Sequence, residues 1–249
     1  AAERTGKPVK WVCDRHEHFF ADSQGRDNIS TARLALDSGN RIIGLEIDII
    51  ADMGAYLHCY APYIPWLGVG MATGVYDIPA AHVRLRAVYT NTVPVDAYRG
   101  AGRPEATYLI ERIVDQAARE TGIDKVEIRR RNFIPVDAFP YQTPVALQYD
   151  SGDYEATLAS ATKIADVDGF AARKAEAAGR GKLRGMGFST YLEACGIAPS
   201  AVVGSLGARA GLYESAEVRV HPTGSVTVFT GTHSHGQGHE TTFAQLVSD

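Results

Sequence analysis

The chain has 249 residues, of which 45% are apolar and 22% are charged, a composition typical of soluble globular proteins. Its 25 Lys and Arg against 29 Asp and Glu give a net charge of -4, which argues against electrostatic capture of nucleic acid or anionic lipid over a broad surface. No apolar run reaches the roughly 18 residues that a transmembrane helix needs. Cys13, Cys59 and Cys195 are too few and too scattered for a disulfide framework, so the sequence predicts a reducing, cytoplasmic compartment.

Both ends of the chain have the sequence pattern of helices. Residues 1–6 are typical of the last turn of a helix that stops at a glycine, and residues 241–247 are typical of a helix that is cut short. The first residue is not Met, and no signal peptide is present. We therefore expect the chain to be an internal piece of a larger protein.

The first part of the chain is rich in strand signals. Residues 8–14 alternate as a short strand does. Residues 28–37 and 41–52 are longer β-rich runs, and the intervening Ser38-Gly39-Asn40 predicts a hairpin. Residues 53–79 are rich in Gly, Pro and Tyr without periodicity, a pattern that is more often functional than connective.

A strand and two helices come next. Residues 81–90 alternate cleanly and predict a half-buried strand. Pro104 marks the first position of a helix that Gly122 ends, since proline suits a first turn and glycine a C-cap. Asp124 is the predicted N-cap of a second helix that runs to Asn132.

The second part begins with a boundary or crossover over residues 135–153, which carry three prolines. Residues 154–178 predict a helix broken at Asp168-Gly169, and residues 182–195 are expected to be extended. Residues 211–220 and 225–230 predict a second hairpin. Because strands and helices arrive in blocks rather than in alternation, the sequence favours an α+β fold with mixed sheets and packed helices over a doubly wound sheet.

The first candidate site is loop A, residues 97–103, at a strand-to-helix junction. Gly100 and Gly102 remove Cβ atoms that would keep a ligand from the backbone. The following helix N-terminus and the side chains of Arg99 and Arg103 add positive potential. The pattern indicates a seat for phosphate or another oxyanion, with an ordinary tight turn as the alternative.

The second candidate site is loop B, residues 231–241, which also follows a strand and opens a helix. Its glycines favour a main-chain cradle, and Gln237 offers both a donor and an acceptor to a heterocycle edge. A zinc site is the alternative, built from His233, His235 and His239. Two glycines interrupt the helical spacing that such a site needs, so the cradle is favoured.

Two further clusters of residues suggest functions, but with weaker sequence signals. Cys13, His16 and His18 suggest a metal site, but no Cys-x-x-Cys pair accompanies them, and solvated histidines on a strand are the preferred interpretation. Arg129-Arg130-Arg131 is a basic run at a helix C-terminus, where the dipole favours cations, and it does not indicate nucleic-acid binding in an acidic chain.

A series of motifs occurs in a fixed order over nearly the whole chain, at residues 8–11, 14–17, 76–79, 91–94, 97–100 and 236–241. This series resembles a known family, the large molybdenum-cofactor subunit of xanthine dehydrogenases, aldehyde oxidases and carbon monoxide dehydrogenases. The resemblance implies two partial molybdopterin-binding domains, at residues 1–150 and 151–249.

The resemblance also implies a chemistry and a set of cofactor contacts. Members of the family hydroxylate a carbon centre with water as the oxygen source, and electrons leave through iron–sulfur and FAD subunits or domains. The cofactor is a molybdopterin-type molybdenum cofactor, with a cytosine dinucleotide as one candidate form. The implied cofactor-binding residues are Ala97, Tyr98, Arg99, Gly100, Gly236, Gln237, Gly238, His239, Glu240 and Thr241.

Departures from the family pattern narrow the expected reaction. Gly100 stands where carbon monoxide dehydrogenases carry a copper-binding Cys, so no copper is expected. Trp66 and Leu67 stand near the position of the Arg that orients purines, which favours a small aldehyde or N-heterocycle substrate. Tyr191 and Glu193 are candidates for the pocket wall.

The family's glutamate base is expected downstream of this chain, so the chain alone is expected to be inactive. The alternatives are a zinc-dependent hydrolase using the 233–239 histidines and a non-catalytic scaffold subunit. Neither nucleic acid nor membrane is expected as a partner.

Overall fold

The computed structural model describes residues 1–193, 204, 214–234 and 236–249. The chain divides into two compact units, Ala1–Glu193 and Ala194–Asp249. Helices and strands follow one another in blocks, which confirms the predicted α+β class. No helix in the described parts of the chain combines the length and apolar character needed to cross a membrane.

A three-stranded sheet forms the centre of the first unit. The predicted hairpin is confirmed: β1 and β2 pair antiparallel, and β3 pairs parallel with β2 to give the order β1-β2-β3. Asp37 closes the turn, because its Oδ1 accepts hydrogen bonds of 2.8 Å from the main-chain N–H groups of Gly39 and Arg41. The strands are β1 (Asn28–Leu36), β2 (Ile42–Asp52) and β3 (Ala81–Val88).

Two helices pack their apolar faces against this sheet, as predicted. They are α4 (Arg103–Thr121), which ends at Gly122, and α5 (Lys125–Asn132). Ile110 and Val114 of α4 lie in one buried cluster with Ile47 of β2. Asp124 caps α5 by accepting from the first-turn N–H groups of Val126 and Glu127.

The first unit also contains several short helices and strands. The predicted break in the later helix is confirmed, since a turn at residues 165–169 separates two helices. The elements are α1 (Ala2–Thr5), α2 (Arg15–Ala21), α3 (Tyr63–Val69), the 3₁₀ turn η1 (Val136–Ala138), β4 (Tyr141–Gln142), β5 (Gln148–Tyr149), α6 (Tyr154–Ile164) and α7 (Phe170–Gly179).

Two predictions in this unit are wrong. Residues 8–14 form no strand, because Asp14 is the N-cap of α2 and the segment has no neighbouring strand to pair with. His16 and His18 therefore lie on a helix rather than on a strand. Residues 53–79, for which no regular element was predicted, contain the short helix α3, which packs against α4 through tight glycine contacts. The described part of the expected extended segment, residues 182–193, contains no strand.

The second unit contains the other predicted hairpin and the terminal helix. Strands β6 (Ala216–Val220) and β7 (Val226–Thr230) pair antiparallel, and α8 spans His239–Ser248. Both elements confirm the sequence predictions. Cys195, His235 and residues 211–213, on which other predictions fall, lie outside the described residues.

Candidate functional site

Loop A connects the segment after β3 to α4 through an unusual backbone. Gly100 and Gly102 have φ values of 95° and 94°, and Ala101 between them has a φ of 43°. Three successive residues in the left-handed region fold the chain back so tightly that the Arg103 N–H reaches the Gly100 carbonyl oxygen at 3.2 Å. Ala97, Tyr98 and Arg99 are exposed on the outside of this fold.

The two glycines of loop A have a packing role that was not predicted. A Cβ on Gly102 would lie 1.9 Å from the carbonyl oxygen of Ile64, so this glycine allows α3 and α4 to touch. A Cβ on Gly68 would meet the Gly102 carbonyl oxygen at 2.7 Å, which makes the contact tight from both sides. A Cβ on Gly100 would lie 2.6 Å from Cγ of Pro104. The glycines therefore shape the loop by packing rather than by leaving open space for a ligand.

Arg26, which the sequence analysis missed, holds loop A from the outside. Its Nη2 donates to the carbonyl oxygen of Arg99 at 2.5 Å, and its guanidinium carbon lies 5.1 Å from the centre of the Tyr98 ring. Its Nε lies 3.6 Å from Glu105 Oε2 in the first turn of α4. Because Arg26 is distant in sequence and stands alone in a polar stretch, no local pattern marked it.

Asp96 fixes the entrance of loop A. Its side chain is mostly buried, and Oδ1 accepts from the Ala97 N–H at 2.6 Å. Its other carboxylate oxygen contacts His58 Nδ1. The Asp96 N–H donates to the Gln24 carbonyl oxygen at 2.8 Å, so the loop starts from an anchored residue.

An ion pair between Arg103 and Glu193 holds the segment that was predicted to line the pocket beside loop A. Arg103 Nε lies 3.2 Å from Glu193 Oε1, and the other Glu193 oxygen would be 3.9 Å from a Cβ on Gly100. Tyr191 is exposed nearby in the chain. Of the two arginines predicted to face an anion, Arg103 is thus already paired with a carboxylate, whereas Arg99 is exposed.

A buried ionic network holds the segment that carries Glu193. Arg129, a member of the basic run at the end of α5, is fully buried, with Nη2 at 2.7 Å from Glu111 Oε2 and 3.0 Å from Asp115 Oδ1. The Thr190 N–H also donates to Glu111 Oε2, at 2.9 Å. Helix α5 buries the face that carries Arg129, so helical periodicity takes this arginine inside while Arg130 stays near the surface.

Tyr76, from one of the recognised motifs, completes this network. Its hydroxyl donates to Glu111 Oε1. Burial, and then the neighbouring Glu111 charge, raise the pKa of Tyr76 well above its usual value, so the phenol keeps the proton that it donates. The motif at residues 76–79 is therefore a structural anchor of α4 and of the 188–193 segment.

Loop B, in the second unit, has the geometry of an anion cradle. Gly236 and Gly238 have φ values of 96° and 82°, and a Cβ at either would meet no atom within 4 Å. Gly238 is the N-cap of α8 and has no side chain to accept from the first-turn N–H groups. The earliest intrahelical bond runs from the Thr242 N–H to the Gly238 carbonyl oxygen at 3.0 Å. Main-chain donors of residues 239–241 therefore precede the helical ladder, a geometry in which helix N-termini can bind an anion or a heterocycle acceptor.

His239 adds a buried polar atom to loop B. Its ring stacks on Phe243 with 5.0 Å between centres, and its Nδ1 is buried without a hydrogen-bond partner among the described residues. A buried ring nitrogen in this state is a site for a ligand donor or acceptor. The zinc alternative stays a prediction, because its third histidine, His235, lies outside the described residues.

Loop A and loop B are each a glycine turn that opens a helix. The chain belongs to the molybdopterin cofactor-binding domain family: residues 1–133 match one such domain, and residues 160–249 match a second. The resemblance predicted from the motifs is thereby confirmed.

Relatives within this family are molybdenum oxidoreductases. The chain is 41% identical to the carbon monoxide dehydrogenase large chain of Hydrogenophaga pseudoflava, over 98% of its own length and 31% of the relative. It is 36% identical to quinoline 2-oxidoreductase from Pseudomonas putida 86, with a TM-score of 0.82 over 100% of this chain and 32% of that one. Cu,Mo-CO dehydrogenase is also 36% identical, with a TM-score of 0.79 over 99% and 32%. The chain thus spans about a third of the length of these relatives.

Proposed function

We propose that this chain supplies two cofactor-binding loops of a molybdenum hydroxylase that oxidises an aldehyde or an N-heterocycle with water as oxygen donor. The family membership supports the class of reaction. The observation that carries the assignment is the uncapped N-terminus of α8, where Gly236 and Gly238 precede free main-chain donors and the buried His239 Nδ1. That donor set fits the carbonyl, ring-nitrogen and phosphate acceptors of a pterin cofactor.

We assign the residues of both loops to the cofactor. When bound, the molybdopterin-type cofactor supplies the two-electron oxidation of a substrate carbon. In loop A the exposed Arg99 contributes positive charge, and the clamp by Arg26 and the Asp96 anchor fix the loop before the cofactor arrives. The assigned residues are Ala97, Tyr98, Arg99, Gly100, Gly236, Gln237, Gly238, His239, Glu240 and Thr241.

Gly100 supports a copper-free centre. A soft ligand such as a thiolate selects Cu(I), and glycine supplies none. The 2.6 Å approach of a Gly100 Cβ to Pro104 also leaves no space for a larger side chain in this loop conformation. We therefore do not propose copper for this chain, although the name of the relative Cu,Mo-CO dehydrogenase includes it. The quinoline 2-oxidoreductase relative supports an N-heterocycle as substrate class.

The proposal includes the wider assembly and the domain division. Iron–sulfur and FAD subunits or domains receive the electrons, and cytosine dinucleotide is the candidate tail of the cofactor. The family matches support two partial domains at residues 1–150 and 151–249, with the boundary in the proline-bearing segment. The first compact unit continues to Glu193, because Thr190 packs onto α4. The cytoplasmic location stays a prediction.

Cofactor content tests the proposal directly. The 249-residue chain is produced in a host that makes molybdopterin, and its molybdenum and oxidised-pterin fluorescence are measured per chain. We expect both to be present and to fall at least about tenfold in Gly238→Val, which removes the left-handed turn. Gly185→Val, at an exposed glycine with no atom within 4 Å of its Cβ position, is the matched control.

Three results would contradict the proposal. Stoichiometric zinc in place of molybdenum, if that zinc is lost on His233→Ala or His239→Ala, favours the hydrolase alternative. Absence of any pterin from the folded chain favours the scaffold alternative. Aldehyde turnover by the isolated chain with an artificial electron acceptor would contradict the expectation that the catalytic glutamate lies outside it.

A further inference from the structure

A three-residue cluster outside both loops brings together the atoms that bind soft divalent metals. One ligand atom from each of Cys13, His18 and Asp22 lies within 4.8 Å of the other two. Cys13 and His18 are partly buried, and Asp22 is exposed, so solvent reaches one side of the cluster. Among the described residues this is the one group of three metal-ligating side chains with such convergence.

Helix α2 creates this convergence. His18 and Asp22 are four residues apart, so they lie on one face, and His18 Nδ1 contacts Asp22 Oδ2. Cys13 immediately precedes the N-cap. A capping box fixes its approach, with the Glu17 N–H donating to Asp14 Oδ1 at 2.8 Å and the Asp14 N–H donating to Glu17 Oε2 at 3.0 Å. The carboxylates of Asp14 and Glu17 are therefore engaged in capping.

The structure replaces one member of the predicted cluster. The sequence placed Cys13 with His16 and His18 on a strand. On the helix, His16 instead packs edge-on against Phe20, with 5.1 Å between ring centres. Asp22 takes its place beside His18, a pairing that strand periodicity hides because residues 18 and 22 meet through a helical turn.

We propose that Cys13, His18 and Asp22 bind a zinc-type divalent ion, with a solvent molecule as the fourth ligand. A thiolate, an imidazole and a carboxylate are the three ligand types that zinc takes, and one open position is common where three protein ligands are present. The thiolate selects against Mg²⁺ and Ca²⁺, which prefer oxygen. Donor atoms already within 4.8 Å need small side-chain adjustments to surround an ion at bond lengths of about 2.0–2.3 Å.

The site is independent of the molybdenum cofactor in its chemistry. All three ligands come from residues 13–22, whereas the assigned cofactor residues begin at Ala97. A soft-metal thiolate site also differs from the main-chain donors that hold a pterin. Failure of one assignment therefore leaves the other to be judged on its own measurement.

Cobalt substitution tests the proposal. The metal-free chain is titrated with Co²⁺, and the thiolate-to-cobalt charge-transfer band and the tetrahedral d–d bands are recorded. We expect one equivalent to produce both bands and zinc to displace the cobalt. Cys13→Ser should abolish the charge-transfer band, and His18→Gln should weaken binding at least about tenfold.

The other two cysteines provide the matched control. The double variant Cys59→Ser and Cys195→Ser leaves Cys13 as the one thiol in the sequence and should keep the band unchanged. Far-UV circular dichroism of each variant confirms that the chain is folded. A band that survives in Cys13→Ser, a band lost in the double variant, or no tetrahedral signal in the folded parent chain would overturn the proposal.

Discussion

The guanidinium of Arg26 donates to the main-chain carbonyl oxygen of Arg99, 73 residues further along the chain, at 2.5 Å. The bond attaches the segment before β1 to the exposed tip of loop A. Tyr98 packs against the same guanidinium, and Glu105 lies on its other side. One arginine thus connects the tip of the loop to the first turn of α4, and the loop conformation is set before any cofactor binds.

Substitution of Arg26 tests this clamp. Arg26→Gln removes the cation–π contact and the ion pair with Glu105, so loop A becomes mobile. Ordering the loop when the cofactor binds then costs free energy. We expect cofactor content measured as pterin fluorescence per chain to fall about tenfold, which corresponds to about 1.4 kcal/mol. Arg33→Gln, at an exposed pair with Glu46, is the control and should bind as the parent does. Equal content in the two variants would show that the clamp has no role in binding.

Gly102 offers a test of the contact between α3 and α4. In Gly102→Ala the new Cβ would lie 1.9 Å from the Ile64 carbonyl oxygen, at a φ of 94° that alanine avoids. We expect the free energy of unfolding in urea to fall by about 2–4 kcal/mol. Gly122→Ala is the matched control, since its φ is 74° but no atom lies within 4 Å of the added Cβ. Its loss should stay near about 1 kcal/mol. Similar losses in both variants would mean that the clash is relieved elsewhere.

The accuracy of the sequence predictions followed the range of the interactions behind them. The hairpin at Ser38–Asn40, the cap at Asp124 and the stop at Gly122 depend on residues near one another in sequence, and each was found where predicted. The predicted strand at residues 8–14 failed because alternation alone supplies no pairing partner. A local sequence pattern predicts a helix or a strand correctly only when tertiary contacts do not override it.

The candidate sites divide in the same way. The motifs located both loops, since glycines before a helix are a local signal. The partners that shape loop A, Arg26 and Glu193, are far away in sequence and were missed as partners. The burial of Arg129 was not predicted, because three successive arginines hide which of them faces the core. The grouping of Asp22 with His18 became evident only from the helix, because it depends on their spacing of four residues.

Arg129 is predicted to be the most sensitive charge in the first unit. Arg129→Met leaves the buried carboxylate of Glu111 and the partly buried carboxylate of Asp115 without their shared cation. We expect the free energy of unfolding in urea to fall by about 3–5 kcal/mol, the usual result of breaking one side of a buried ion pair. Arg130→Met, at an exposed pair with Glu155, should cost no more than about 1 kcal/mol. A small effect at Arg129 would mean that Glu111 and Asp115 find other partners.

The same network predicts how stability depends on pH. Burial acts to raise the pKa of Asp115, but hydrogen bonds and charge from Lys125 and Arg129 outweigh it, so the pKa lies below its usual value. A carboxylate with a lowered pKa stabilises the folded chain above the unfolded-state value of about 3.9, and that contribution disappears as the pH falls through the folded-state pKa.

Asp115→Asn should therefore destabilise the chain at pH 7 and flatten the loss of stability on acidification. Urea unfolding of the parent and the variant is compared at several pH values from neutral to about pH 3, and the difference between their free energies of unfolding should shrink as the pH falls. Asp168→Asn, at an exposed aspartate, controls for the change in net charge. Parallel curves for the parent chain and Asp115→Asn would contradict the assignment, because they would mean that Asp115 takes up its proton at the same pH in the folded and unfolded chain.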